Sequence, residues 1–313
     1  MQRKNIQRII RFRPLFRIMK GSRNVILPGF EGLSLYIVTK FFFKGLQNGI
    51  LNMRASSLAF SFFLALFPSI IFIFTLIPYI PIDHFQDYLF NLLQSVMPKS
   101  AFEATQDTIA DIVKKQRGGL LSLGFFTALY FSTNGFNAMI NAFNETYHSI
   151  EIRKPLYQRL VSLFMVIVTV SMIAIATTLI IYSEMGLHKL IHTSTILYYL
   201  LLFGKYLILF GLCFCLVSFN YYAGPKRKKG WTFFSAGSTF ATILIVVASI
   251  AFAYYVNNFG KYNKLYGSIG TLIVIMMLIY INSLILLLGF DLNASIHSAK
   301  EDAKPNAKIK SQT

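Results

Sequence analysis

Six long stretches with a single charge among them, Lys205, constrain this chain more than any other feature. They are Ala55–Ile82, Gly118–Asn144, Leu160–Ser183, Ile196–Tyr222, Gly230–Gly260 and Leu265–Phe290. Each exceeds the roughly 20 residues an α-helix needs to cross a bilayer. Inside lipid a segment must satisfy its own backbone polar groups, so each stretch is predicted to be helical. Strands of a membrane barrel would alternate apolar and polar residues, and these do not. With 55% hydrophobic and 13% charged residues, the chain has no use for such stretches as a soluble enzyme. The expected fold is an all-α, polytopic integral membrane protein: a six-transmembrane-helix bundle.

The net charge of +18 could suggest nucleic acid, but its distribution points to the membrane. Gaps of one side, including both termini, hold 22 Lys and Arg; the alternate gaps hold 7. The positive-inside rule then places both termini in the cytoplasm, and no nucleic-acid partner is expected. The tract Lys226–Lys229 serves as a topology signal, with an anionic-lipid headgroup site as its functional alternative. Met1–Asn24 has no uninterrupted apolar core and predicts no secretory signal. Its Arg residues interleave with Ile and Phe, as in a segment lying on anionic lipid.

The domain reading is a basic cytoplasmic segment over 1–32, a membrane domain over 33–294 and a cytoplasmic tail over 295–313. The spans are placed at about 55–82, 118–144, 160–183, 196–222, 231–257 and 265–290 from their apolar length. Leu33–Ile50 sets Lys40, Lys44, Gln47 and Asn48 opposite Leu33, Tyr36, Ile37 and Phe41. That pattern predicts an N-terminal interfacial amphipathic helix, with a seventh span as the alternative. Pro81–Arg117 reads as an outer helical loop, on which Glu103, Asp107 and Asp111 form one solvated stripe. Lys300–Thr313 is polar and predicted to be disordered. Cys213 and Cys215 lie on different sides of a helix and read as packing residues.

Polar residues inside the spans carry the functional reading. Thr127, Asn134 and Asn141 are spaced by seven, and Tyr130, Asn137 and Asn144 each lie three residues after one of them, so all six share one helical face. Such a face belongs inside a bundle, where it either bonds to neighbouring helices or walls a substrate cavity. The first span opens with Arg54, Ser57, Ser61 and Ala65 and contains Pro68, which interrupts the hydrogen-bond ladder. The last span ends with Asn282, Asp291 and Asn293. A lone carboxylate at that depth requires a partner or water, and Arg54 lies at the same depth, so the two are predicted to pair. The Gly204, Gly211, Cys215, Ser218 and Tyr222 face of the fourth span suits close helix packing.

Enzyme signatures are absent: there is no Walker A loop, GxSxG or HExxH. His188 and His192 have an i, i+4 spacing without a third ligand. Glu145, His148, Glu151, Asp291 and His297 are scattered without a metal-ligand pattern. No catalytic residue, metal or cofactor is expected.

Three segments carry a family resemblance. Arg54–Pro68 (RASSLAFSFFLALFP), Asn134–Arg153 (NGFNAMINAFNETYHSIEIR) and Tyr266–Ala294 (YGSIGTLIVIMMLIYINSLILLLGFDLNA) resemble the YihY/BrkB family of bacterial inner-membrane proteins. The resemblance spans roughly Gly32–Ala294. The chain departs from the family pattern at Ala236, Leu278 and Asp291, where the family favours Pro, Trp and Glu. The resemblance implies a bacterial plasma membrane protein, with movement of a lipid or lipid precursor proposed for some members and an old ribonuclease label on the family. Together these features support a transporter, exporter or flippase of a lipid-like or anionic substrate. The substrate-facing residues would be Arg54, Ser57, Ser61, Pro68, Asn134, Asn137, Asn141, Asn144, Asn282, Asp291 and Asn293. The alternative is a non-transporting scaffold or envelope-integrity protein. Expected partners are membrane lipids and a lipid-like substrate, with homo-oligomerisation open.

Overall fold

The computed structural model describes residues 34, 36–40, 42, 51–79, 94, 106–107, 110–111, 115–146, 153–190, 195–226, 232–258 and 260–303. Among them every regular element is helical: α1 (Leu51–Leu76), a 3-10 turn (Ile77–Tyr79), α2 (Gly118–Asn144), α3 (Pro155–Leu190), α4 (Thr195–Ala223), α5 (Ala236–Asn258) and α6 (Gly260–Ala303).

The helix ends follow local chemistry. Pro155 opens α3, where its missing N–H would have no partner in any case. Ser235 caps α5 by accepting the Ser238 N–H on its Oγ at 3.2 Å. The guanidinium of Arg153 donates to the carbonyls of Ala223, Gly224 and Pro225, closing the end of α4 from the neighbouring connection. Pro68 sits inside α1 without ending it.

Among the described residues five helices are long and apolar enough to span a membrane: Leu51–Tyr79, Pro155–Ser183, Tyr198–Ala223, Ala236–Val256 and Leu272–Lys300. Six spans were expected. The remaining helix, α2, has 27 residues, ample length to cross. Asn134, Asn137, Asn141 and Asn144 interrupt its apolar run. Several boundaries also move: the first helix begins at Leu51 and the fifth at Ala236. The third span begins at Pro155 instead of Leu160. The last helix continues to Ala303, into residues expected to belong to a disordered tail. It does so because Ile296 and Ala299, one turn apart, bury against Val38. Most of Leu33–Ile50 and of the outer loop 81–117 lies outside the described residues, as do Glu103 and His192. Within the described part of that loop, Lys115 and Arg117 both pair with Asp111. The hydrogen bond from Lys115 holds the Asp111 carboxyl below its ordinary range.

The helices close into a ring in chain order. Each packs on its neighbours in the sequence, and α6 returns to pack on α1. The ring is not uniformly packed. The core gathers at the end where α1, α3 and α5 begin and α2 and α4 finish: Leu58, Met139, Ile140, Phe143, Met165 and Phe290 are all fully buried there. Phe143 stacks on Phe290 at 4.1 Å between ring centroids, and Tyr221 meets both edge-on at 5.8 Å. Aromatic pairs of this kind add about 0.5–1.5 kcal/mol each beyond area burial. Toward the opposite end packing thins. Among the described residues α3 buries nothing between 167 and 183, α4 nothing between 196 and 216, and α5 nothing between 243 and 256. Helices α1 and α2 stay in close contact along their length, with Gly124 against the backbone of Phe72 and Gly135 against the ring of Phe62.

Candidate functional site

The packed end of the ring holds the charged residues. Arg54 enters from the first turn of α1 and Asp291 from the last third of α6, and both are 5% exposed. Arg54 reaches Asp291 through one nitrogen, Nη2, which lies 3.1 Å from Oδ1 and 3.0 Å from Oδ2. Thr146, just past α2, donates its hydroxyl to Asp291 Oδ1 at 2.8 Å. The carboxylate therefore ties together the first helix, the end of the second and the last. The pairing expected from their common depth is present.

The guanidinium is only partly used. Nε and Nη1 of Arg54 are buried and have no hydrogen-bond partner among the described residues. An arginine that pairs fork to fork with a carboxylate engages two of its nitrogens. Here one nitrogen spans both oxygens, and two buried donors remain unmet. Leaving such groups dry is costly.

A second polar network joins α2 to α3. Gln158 Nε2 donates to Asn137 Oδ1 and Asn141 Oδ1, each at 2.7 Å. Arg159 donates to Asn134 Oδ1, and its guanidinium lies 5.5 Å from the centre of the Tyr130 ring. The asparagine face thus meets a neighbouring helix. Asn144 Oδ1 is buried without a partner. Gln158 and Arg159 precede the apolar stretch from Leu160 and were missed for that reason.

A third contact fixes α5 on α6. Asn293 accepts the Gly237 N–H on Oδ1 at 2.7 Å and donates to Ser235 Oγ at 2.8 Å. A Cβ on Gly237 would lie 2.0 Å from the Gly289 carbonyl oxygen, so these backbones touch. Asn293 therefore serves packing.

Other expected site residues stand apart. Ser57 is exposed, and Ser61 bonds back to its carbonyl at 2.9 Å. Asn282 donates to the Leu278 carbonyl of its own helix at 3.0 Å. Pro68 is half-buried in α1 and makes no part of the Arg54 junction. The reason is angular: a helix advances about 100° per residue, so Ser57 turns away from the face shared by Arg54, Leu58 and Ala65. Asn282 lies nine residues before Asp291, on the opposite side of α6. Among the described residues no three His, Cys, Asp or Glu side chains gather as metal ligands.

Comparison with known proteins adds sequence relationships. The profile of the family described as Virulence factor BrkB matches residues 42–312. A Bacillus subtilis protein named ribonuclease-like protein YfkH is 30% identical over 79% of this chain and 90% of its own. UPF0761 membrane proteins of Vibrio campbellii and Haemophilus influenzae are 21% and 23% identical, over 87% and 83% of this chain and 84% and 95% of theirs. No solved structure matches.

Proposed function

The chain belongs to the Virulence factor BrkB family and is a multi-pass membrane protein, and from that premise we propose that it moves an anionic amphiphile of the lipid class across the bilayer. The observation that carries this reading is Arg54. It is buried at the packed end of the ring, bound to Asp291 through one nitrogen, with Nε and Nη1 unmet. A guanidinium with spare donors can exchange its carboxylate for a phosphate or carboxylate of a substrate, which would take two parallel hydrogen bonds. Asp291 then keeps Thr146 while the contact between α1 and α6 is released. The junction is in this reading a gate, closed while Arg54 holds Asp291.

The topology proposed with it has six crossings, α2 being the polar one, and both termini in the cytoplasm. The gate then lies at the cytoplasmic face, and the thinly packed end of the ring faces outward. Closure at one end with looseness at the other is what alternating access requires of one of its states. Energy would come from a gradient or a partner protein.

A scaffold role has its own support, since the Oδ1 atoms of Asn134, Asn137 and Asn141 accept from Gln158 and Arg159. Opening separates the two readings. Thr146→Cys, in a chain with Cys213→Ala and Cys215→Ala, puts one thiol at the junction. In vesicles of phosphatidylcholine a membrane-impermeant maleimide is expected to label it slowly from the cytoplasmic side. Phosphatidylglycerol is expected to raise the rate about tenfold, which requires about 1.4 kcal/mol of preference for the open form. The same slow rate in both lipids would make the junction a permanent clamp and favour the scaffold.

A further inference from the structure

We propose that the groove between α2 and α3 is a binding site for one anionic phospholipid, with its phosphate on Arg159 and an acyl chain along the leucines beside it. The groove has a volume of about 300 Å³. Leu129 and Tyr130 line it from α2, and Leu156, Leu160 and Leu163 from α3. It opens on the outside of the ring, where Phe126 is 66% and Leu160 58% exposed. In a membrane protein that surface meets lipid. Arg159 is the one charged residue in its lining.

Position and charge together select the occupant. Arg159 lies four residues into α3, about 6 Å along the helix from Pro155. In the proposed topology that is the depth at which a headgroup phosphate gives way to acyl chain. The bond to Asn134 and the Tyr130 ring hold the guanidinium in place, and Asn134 is its one hydrogen-bond partner among the described residues. Donors thus remain for a phosphate. Neither helix brings a carboxylate to the groove: residues 118–144 and 155–183 contain neither Asp nor Glu. Arg153 and Lys154 precede the helix and add to the positive potential. A zwitterionic lipid would bring its own cation to this site, whereas an anionic one brings none. The site lies outside the ring and does not depend on transport.

Native mass spectrometry of the purified full chain tests this, after exchange into detergent with equal trace phosphatidylglycerol and phosphatidylcholine. The wild type is expected to retain one phosphatidylglycerol over phosphatidylcholine by at least about fivefold, the factor one basic residue near a bilayer surface supplies. Arg159→Lys keeps most of that preference, and Arg159→Gln abolishes it. Leu160→Trp fills the groove from an exposed position, so it leaves folding intact while retention of the lipid falls. Equal retention of both lipids by the wild type overturns the proposal. So does an undiminished preference in Arg159→Gln, or in Leu160→Trp should Arg159→Gln fail to fold. A dimer that forms in place of lipid retention and is lost in Leu160→Trp would assign the groove to a second copy of the chain.

Discussion

Arg54 and Asp291 depend on each other because each is buried and, among the described residues, neither pairs with another charge. Removing one member of such a pair leaves an uncompensated ion, at a cost of about 3–5 kcal/mol. Arg54→Gln and Asp291→Asn should therefore each lower the yield of folded protein and its melting temperature in detergent. Arg54→Asp with Asp291→Arg should recover part of what the two single reversals lose, measured as a positive coupling in a double-mutant cycle. No recovery would mean that the two residues act independently. This pair was legible in the sequence, since one carboxylate and one arginine sit at the same depth near the same face. Thr146 was not, because it follows the second apolar stretch. Gln158 and Arg159 were not, because they precede the third. Polar partners just outside an apolar run belong to no span when spans are counted from their first uncharged residue, yet the helix has already begun.

Elements meet through small residues where backbones approach. Gly237 of α5 and Gly289 of α6 leave no room for a methyl group: a Cβ on Gly289 would come within 2.7 Å of the Gly237 carbonyl oxygen and of the Ala241 Cβ. The obstacle is backbone, so a rotamer change cannot relieve it. Gly237→Ala is expected to push α5 from α6, break the bonds of Asn293 and destabilise the fold by about 1–3 kcal/mol or more. Gly211→Ala, where nothing lies within 4 Å of the added carbon, should be silent in the same thermal melt. Equal melting of both variants would contradict the close contact. Helix existence was readable from apolar length at every element, but helix ends were not. The extension of α6 to Ala303 depends on Val38, more than 250 residues earlier, and such a contact leaves no local mark. The asparagine face of α2 was readable as a face, while its partner helix was not.

At the scale of the whole molecule, helices α1 to α6 of the described residues close in chain order and concentrate their core at one end. A membrane bundle gains nothing from hydrophobic burial between helices, because lipid tails are equally apolar, so tight packing and polar bonds must hold it. Here both are concentrated where Arg54, Thr146 and Asp291 meet, with the glycine contact and the stacked Phe143–Phe290 pair beside them. Away from that junction the described residues of α3, α4 and α5 are thinly packed, while α1 and α2 stay in contact. The most direct measurement is transbilayer movement of fluorescent phosphatidylglycerol in vesicles containing the purified protein, read by access of a quencher to the outer leaflet. The wild type should speed movement at least about tenfold over protein-free vesicles, and Arg54→Gln, reconstituted with the same helical content, should return it to background, a loss of about 1.4 kcal/mol or more in barrier lowering. A wild type no faster than empty vesicles, or an Arg54→Gln variant as fast as the wild type, would contradict the account.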